Sequence, residues 1–535
     1  MTSSAQPAAT GPAYMTHRQI LVVLYGLMLG MLLAALDQTI VSTALPTIVG
    51  ELGGLNQLSW VVTAYLLTST AATPLYGKIS DLYGRRPVYI FAIVVFVAGS
   101  MLAGMSQTMW QLVATRAMQG LGAGGLMALT FAIIGDIIPP RERGRYTGYF
   151  TGVWGLASVA GPLLGGFFTE HLSWRWIFYI NVPLGVVALV VVNAVLHVPF
   201  QRREHSIDYL GAALIVGGVS SLLLALVWGG ERYAWGSATI VSLLATAALL
   251  LIVFIFWEGR ATEPILPLRL FHNSIFSMTS AVGFVVGTAM FGAIVFIPIY
   301  LRVVDGVTPT KAGLLMLPLM IGIIVSSISS GKATTVTGRY KAFPIAGTGL
   351  LGIGIFLLSR LDVGTPAWLY SIYFFIVGAG LGLVMQILVL AVQNAVDFRD
   401  MGVATSSSQF FRSMGGTIGT AIFGTILANR LAHNLADRLP AGAAPAGGGD
   451  IAKSPERIAA LPPGIKADVI GAFVDALHTV FLAAVPVIAV AFVLSFFIKE
   501  LPLRGHSDGP RPEAAAGPET DELPADDASG APITR

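Results

Sequence analysis

The 535 residues include no cysteine. Disulfides, thiolate metal sites and a cysteine nucleophile are therefore excluded. Charge is also scarce. Only 11% of the residues are Asp, Glu, Lys or Arg, against 55% hydrophobic, whereas a soluble domain carries roughly 25% charge. A soluble chain of this size could not hide so much apolar surface, because roughly half of any folded surface still faces water. Soluble enzymes, disordered proteins and nucleic-acid binders are disfavoured together. The net charge of +3 is too small to imply a polyanionic partner. No G-x-x-x-x-G-K-[ST] loop occurs, which argues against ATP as the energy source. No H-E-x-x-H occurs, and the eight His are scattered, so neither a metal nor another cofactor is expected.

What is present is a series of apolar runs near the ~20 residues that cross a bilayer. They fall near 21–48, 58–76, 88–106, 112–135, 146–168, 177–197, 210–230, 237–257, 277–301, 312–330, 343–359, 367–390, 404–427 and 473–497. The first run is long and has no clear cleavage site, so it reads as an uncleaved span rather than a signal peptide. An even number of spans puts both termini on one side. Fourteen Lys and Arg fall in the short loops on that side, Lys78 and Arg85 among them, against five opposite. Positive residues stay cytoplasmic, so both termini are expected inside. Residues 1–19 then form a cytoplasmic tail. Segment 428–470 is a long external loop, flexible around its Gly- and Ala-rich stretch. Residues 500–535, rich in Pro, Ala and acid, are expected to be disordered. The runs at 210–230 and 237–257 carry no charge and read as lipid-facing or structural. Residues 263–271 precede a span and fit an interfacial amphipathic piece.

The chain also repeats itself. Gly77, Lys78, Gly84 and Arg85 match Gly331, Lys332, Gly338 and Arg339 at an offset of 254, and the same offset relates Gly161 to Gly415 and Gly165 to Gly419. The first six spans therefore read as a copy of the last six, with the two charge-free spans inserted between. The expected division is a six-helix bundle over 20–197, an insertion over 198–262 and a second bundle over 263–499. Doubled bundles are a transporter architecture, with a site at the midplane between the halves.

Four motifs give this chain a family resemblance. LDQTIVSTALP (Leu36 to Pro46), GKISDLYGRRP (Gly77 to Pro87), RAMQGLGAG (Arg116 to Gly124) and GPLLGG (Gly161 to Gly166), together with WRWIFYINVPLG (Trp174 to Gly185), are similar to signatures of the major facilitator superfamily. Their combination resembles its fourteen-span drug:proton antiporter branch. The resemblance covers about residues 20–500. It implies an all-α polytopic membrane protein with the major facilitator fold, two six-helix bundles plus two extra central helices. It further implies multidrug efflux driven by the proton gradient, acting as a monomer in a bacterial inner membrane and conferring antibiotic resistance. The expected partners are lipophilic, amphiphilic or cationic small molecules, protons and membrane lipid. Rival readings are export of an endogenous antibiotic, pigment or lipid by the same fold, solute uptake, and a polytopic membrane enzyme. Uptake fits poorly with the antiporter-like Gly161-Pro162 region. An enzyme would need a His/Asp/Glu cluster at one membrane face, and none is visible in the sequence.

Particular residues can be weighed physically. Asp37 interrupts an uncharged run, where a charge costs at least a few kcal/mol, so it must face a cavity or a partner. It suits proton coupling or cation attraction; the alternative is a carboxylate that assists assembly. Arg116 stays charged in any environment and cannot carry the proton, but the resemblance implies that it tunes the coupling. Gly120 and Gly124, at i+4 and i+8, leave one face bare for another helix. Asp81 is expected near the positive end of a helix, Arg85 is expected to pair with Asp136, and Arg86 shares their turn. With Gly77 and Gly84 these residues read as an inner gate; a solvated basic loop is the alternative. Thr335 replaces Asp81 in the second copy, so the relay is asymmetric. Pro162 bends the fifth span, and Gly161 and Gly165 permit close packing at the interface between halves. Gln386, Gln409 and Arg412 are candidate cavity residues, with interhelical hydrogen bonding as the alternative. Asn181, Trp154, Trp174 and Trp176 read as ordinary packing or interfacial residues.

Overall fold

In lipid every backbone polar group must be bonded within the segment, so apolar runs of this length can only be helices. A computed structural model describes residues 17–53, 57–138, 140–196, 208–230, 232–397, 400–438, 458 and 461–503. Each of the fourteen apolar runs coincides with helix. The first half comprises α1 (His17–Leu52), α2 (Leu58–Tyr83), α3 (Arg85–Gly104), α4 (Met109–Ile137), α5 (Pro140–His171), the single turn α6 (Trp176–Tyr179) and α7 (Asn181–Val195). The insertion contributes α8 (Tyr209–Trp228) and α9 (Ala238–Glu258). The second half comprises α10 (Ser274–Ile294), α11 (Ile297–Val303), α12 (Pro309–Leu315), α13 (Leu317–Thr337), α14 (Ala342–Leu358), α15 (Ala367–Ala395), α16 (Met401–Arg438) and α17 (Pro463–Phe496). Ten helices are long and apolar enough to cross a membrane by length and composition, and Ser274–Met290 and Ala342–Leu358 are shorter apolar stretches. The remaining two, α2 and α16, are more polar, and they meet each other across the molecule.

The internal repeat is visible in the packing. Helix α2 lies on α4 as α13 lies on α15, α3 on α4 as α14 on α15, and α1 on α5 as α10 on α16. The two halves meet through α2 with α16 and through α13 with α5, which are equivalent pairs with the copies exchanged. Gly84 and Gly338, matched by the repeat, both carry positive φ, +91° and +70°. Each ends one helix just before the next begins, at a conformation other residues adopt only with strain. The insertion is not peripheral to this seam. Leu214, Ile215, Val219 and Leu223 of α8 bury against Ala71 of α2 and Phe410 of α16, whereas α9 is mostly exposed.

Several expectations shift. The helix over 404–427 continues to Arg438 and the last one begins at Pro463, so a loop at 428–470 is too long at both ends. A 34-residue helix such as α17 can project beyond a bilayer of ~30 Å. The first helix starts at His17, inside the expected tail. Glu500 accepts from the backbone amides of Tyr340 (2.7 Å) and Lys341 (3.1 Å), so the expected tail is ordered at its start. The rest of both tails, residues 439–457 of the loop, and Arg202, Arg203 and Arg399 lie outside the described residues.

Candidate functional site

The interior of the first half holds one charged network. Asp37 of α1 is fully buried and ion-paired with Arg116 of α4, which is 1% exposed. The carboxylate also accepts from Gln119 Nε2 at 2.7 Å and from Asn181 Nδ2 at 3.1 Å. Arg116 donates further to Gln119 Oε1 (2.8 Å) and to the Val61 carbonyl (3.3 Å). Its guanidinium lies 4.2 Å from the centre of the Tyr65 ring, an added attraction for a cation. Asn181 reaches Ser100 Oγ at 3.0 Å, and Ser100 donates to the Phe178 carbonyl at 2.8 Å. Side chains of three helices, α1, α4 and α7, thus meet at one carboxylate. Asp37 faces a partner rather than open space, and nearly every polar atom around it is satisfied. Asn181 Oδ1 is the exception: it is buried and has no hydrogen-bond partner.

Glycines position this network. A Cβ on Gly120 would stand 2.9 Å from Tyr65 Cα, and one on Gly124 would stand 3.1 Å from Ser69 Cα. Helix α4 can therefore press against α2 at the level of Arg116. Gly161 and Gly165 do the same for α5, but toward α1: their faces meet Thr39 and Thr43, and Thr39 donates to the Ala157 carbonyl at 2.9 Å. They pack within one half, not across the interface as expected. The contact of α5 with the other half runs instead through Gly155, against Met320 and Ile324. Pro162 lies inside α5, which remains helical through it.

A second cluster closes the seam between α2 and α16 at the basic face. Arg85 Nε meets Asp136 Oδ2 at 2.6 Å and Arg85 Nη1 meets Asp81 Oδ1 at 2.5 Å. Asp81 Oδ2 accepts from the Val403 amide at 2.9 Å, one of the free N–H groups in the first turn of α16. The negative charge sits where the helix dipole favours it. The first half therefore holds the N-terminus of a second-half helix. Gly77 makes the approach possible: a Cβ there would be 2.7 Å from Ser406 Cβ and 2.9 Å from the Gly402 carbonyl. Arg86 does not join this cluster. It donates to Asn193 Oδ1 (2.8 Å) and the Asn193 carbonyl (2.7 Å) within its own half, at an exposed position. Exposed bonds of this kind contribute little. Arg86→Ala is expected to leave the transport rate in vesicles within about twofold of wild type; a loss of about tenfold or more would return Arg86 to the gate.

Other residues of the seam were not legible as functional. Arg143, counted only among the basic loop residues, is 4% exposed. It donates to the Ile138 carbonyl (2.6 Å) and across to Gln393 Oε1 of α15 (3.0 Å). Lys78 pairs with Glu263 at 2.7 Å and Arg269 with Asp400 at 2.8 Å, so the segment after α9 is tied to both sides of the seam. Trp174 Nε1 donates to Glu51 at 2.7 Å, and Arg175 pairs with the same carboxylate. Glu51 lies beyond the first candidate span, Gln19–Val41. The hydrogen bond from Arg175 holds its carboxyl below the usual range. That stabilisation is present at neutral pH and fades as pH falls through the lowered value; at a half-exposed pair it is small. Gln409 bonds Arg412, whose Nη1 lies 3.1 Å from Met385 Sδ. Gln386 lies apart, beside Arg143, Gly331 and Gln393. The three candidate cavity residues therefore do not form one cluster.

Two similar halves around buried charge, closing on each other at one face, define a membrane transporter. The chain belongs to the Major Facilitator Superfamily, whose family model matches residues 27–420. It is therefore a multi-pass membrane transporter and not an enzyme. An uncharacterized MFS-type transporter of Mycobacterium tuberculosis is 45% identical over 482 residues, covering 90% of this chain and 70% of that protein. The multidrug transporter protein MdtP of Bacillus subtilis is 38% identical over 506 residues, covering 90% and 93%. The solved structure of the proton:xylose symporter XylE covers 91% of this chain and 97% of its own with a TM-score of 0.59 at 13% identity, a likeness of fold alone.

Proposed function

We propose that the protein is a proton-driven exporter of lipophilic, amphiphilic compounds, working by alternating access in a bacterial cytoplasmic membrane. The observation that carries this reading is the buried Asp37–Arg116 network. It offers a protonatable group inside the membrane with a fixed cation beside it. Protonation of Asp37 would release Arg116 from its counter-charge and change the packing of α1 on α4. Asn181 Oδ1 supplies an acceptor for the new carboxyl O–H once the amide turns over. The Asp81–Arg85–Asp136 cluster holds the basic face closed and must open once in each cycle. Relatives named as multidrug transporters support drug export. We further propose fourteen spans, with α2 and α16 included because their polar residues sit at the seam. Two six-helix bundles flank the α8–α9 insertion, both termini are cytoplasmic, and the unit is a monomer.

The test is uptake of ethidium into proteoliposomes under an imposed pH gradient. Gradient-dependent movement that vanishes with a protonophore is expected. Absence of such movement for ethidium and for a broad panel of lipophiles would refute drug export.

A further inference from the structure

The charges inside the two halves are not balanced alike. In the first half Arg116 has Asp37. In the second half Arg412 stands eleven residues beyond Met401, the first residue of α16. That is about 16 Å along the helix, near the middle of a ~30 Å hydrocarbon core. A guanidinium does not deprotonate there, and an ionisable group at such depth is expensive unless something neutralises it. Its partners, Gln409 Oε1 and Met385 Sδ, are both neutral. Among the described residues no carboxylate lies within ion-pair distance of it.

The second half has none to offer, and the carboxylates of α2 and α4, which also pack on α16, are held by Arg85. Helices α10, α13, α14 and α15 contain no Asp or Glu, and α16 has none between Met401 and Asp437. The acids of α17 lie toward its start, where Asp475 pairs with Arg438 at the far end of α16. Arg412 therefore keeps an uncompensated positive charge, and Gln409 and Met385 engage only part of its five N–H donors. Unlike Asp37, Arg412 and Gln409 are only half-buried. Gly287 lets α10 pack directly on the backbone of α16 at this level: a Cβ there would stand 3.2 Å from the Arg412 carbonyl carbon and 3.4 Å from its Cγ. A planar donor fork with free positions in a low-dielectric setting suits a bidentate oxyanion.

We infer that Arg412, with Gln409, binds the anionic head group (carboxylate, sulfonate or phosphate) of an amphiphilic substrate. The substrate then supplies the counter-charge that the second half lacks. This deepens the export reading and rests on it for the transport step, but not for binding. Among amphiphilic compounds it favours anionic ones over the cationic.

The full-length protein in detergent is titrated with fluorescein and with rhodamine 123, which share a tricyclic core but carry opposite charge at neutral pH. Wild type is expected to bind fluorescein about tenfold more tightly. Arg412→Gln should lose about tenfold or more in fluorescein affinity, the scale of a charge-assisted bond, with rhodamine 123 binding unchanged or improved. Arg412→Lys should fall between them, since it keeps the charge but not the fork. Unchanged thermal unfolding and retained rhodamine 123 binding show that a variant is folded. Equal binding of both dyes by wild type, binding of neither, or an equal loss of both in Arg412→Gln would overturn the inference. Gradient-driven transport is measured separately. If Arg412-dependent binding persists without transport, the export reading fails and the site stands. If transport of rhodamine 123 persists while fluorescein affinity ignores position 412, the reverse holds.

Discussion

Asp37→Asn should abolish proton release on substrate addition and lower stability by about 3–5 kcal/mol, the cost of leaving one member of a buried ion pair without its counter-charge. The amide oxygen can still accept from Gln119 and Asn181, but its NH2 then faces Arg116 Nη1, donor against donor, so the charge and the bond from Arg116 are lost together. The double variant Asp37→Asn/Arg116→Met separates structure from coupling. It removes both charges, and replacing a buried pair by neutral groups of similar size is often close to neutral for stability. It should recover most of the thermal stability and still release no proton. Thermal unfolding in detergent and a pH-indicator dye in lightly buffered solution read the two quantities. Proton release by the stable double variant would make Asp37 a structural anchor. A single variant as stable as wild type would show that the pair is not truly desolvated.

Gly77→Val should cut transport to below about a tenth of wild type while leaving the first half folded. The seam at this point has no slack: the added Cβ falls on Ser406 and on the Gly402 carbonyl, and both belong to α16. Closed interiors do not absorb even one methyl without displacement. The α2–α16 contact must open, and with it the bond from Val403 to Asp81. Because the chain has no cysteine, a single Ser407→Cys reporter gives an unambiguous readout. Its hydroxyl is buried and makes no hydrogen bond, so the exchange is mild. Maleimide labelling from the basic face should be about tenfold faster in the Gly77→Val background. Gly152→Ala, where nothing lies within 4 Å of the new Cβ, is the matched control and should transport normally. Equal labelling rates would show that this seam is not the gate.

Much of the architecture was legible because the bilayer imposes it. A run of about 20 apolar residues has one available conformation in lipid, so the helices could be placed without knowing what they touch. The repeat at offset 254 fixed which helices are equivalent, and Gly84 and Gly338 share a positive φ as well as their identity. Arg85 with Asp136, and Asp81 at a helix start, could be anticipated from charge on an otherwise apolar chain. Partners without charge could not. Gln119 and Asn181 are ordinary polar residues in sequence, and only the convergence of α1, α4 and α7 brings them to Asp37. Arg143 read as one more basic loop residue, since nothing local distinguishes a buried arginine from a solvated one. Gly161 and Gly165 announced close packing but not its direction, which depends on how α5 is turned about its own axis.

The sequence by itself determined the membrane environment, the helices, the duplication and the identity of the few embedded charges. Each follows from composition and period, which are properties of the chain alone. The tertiary structure decided which charges are neutralised. It paired Arg116 with Asp37, joined Arg85 to two carboxylates and left Arg412 with neutral neighbours. Coulomb energy in a low-dielectric interior depends on separations of a few ångströms, and those separations arise only when helices distant in sequence pack side by side.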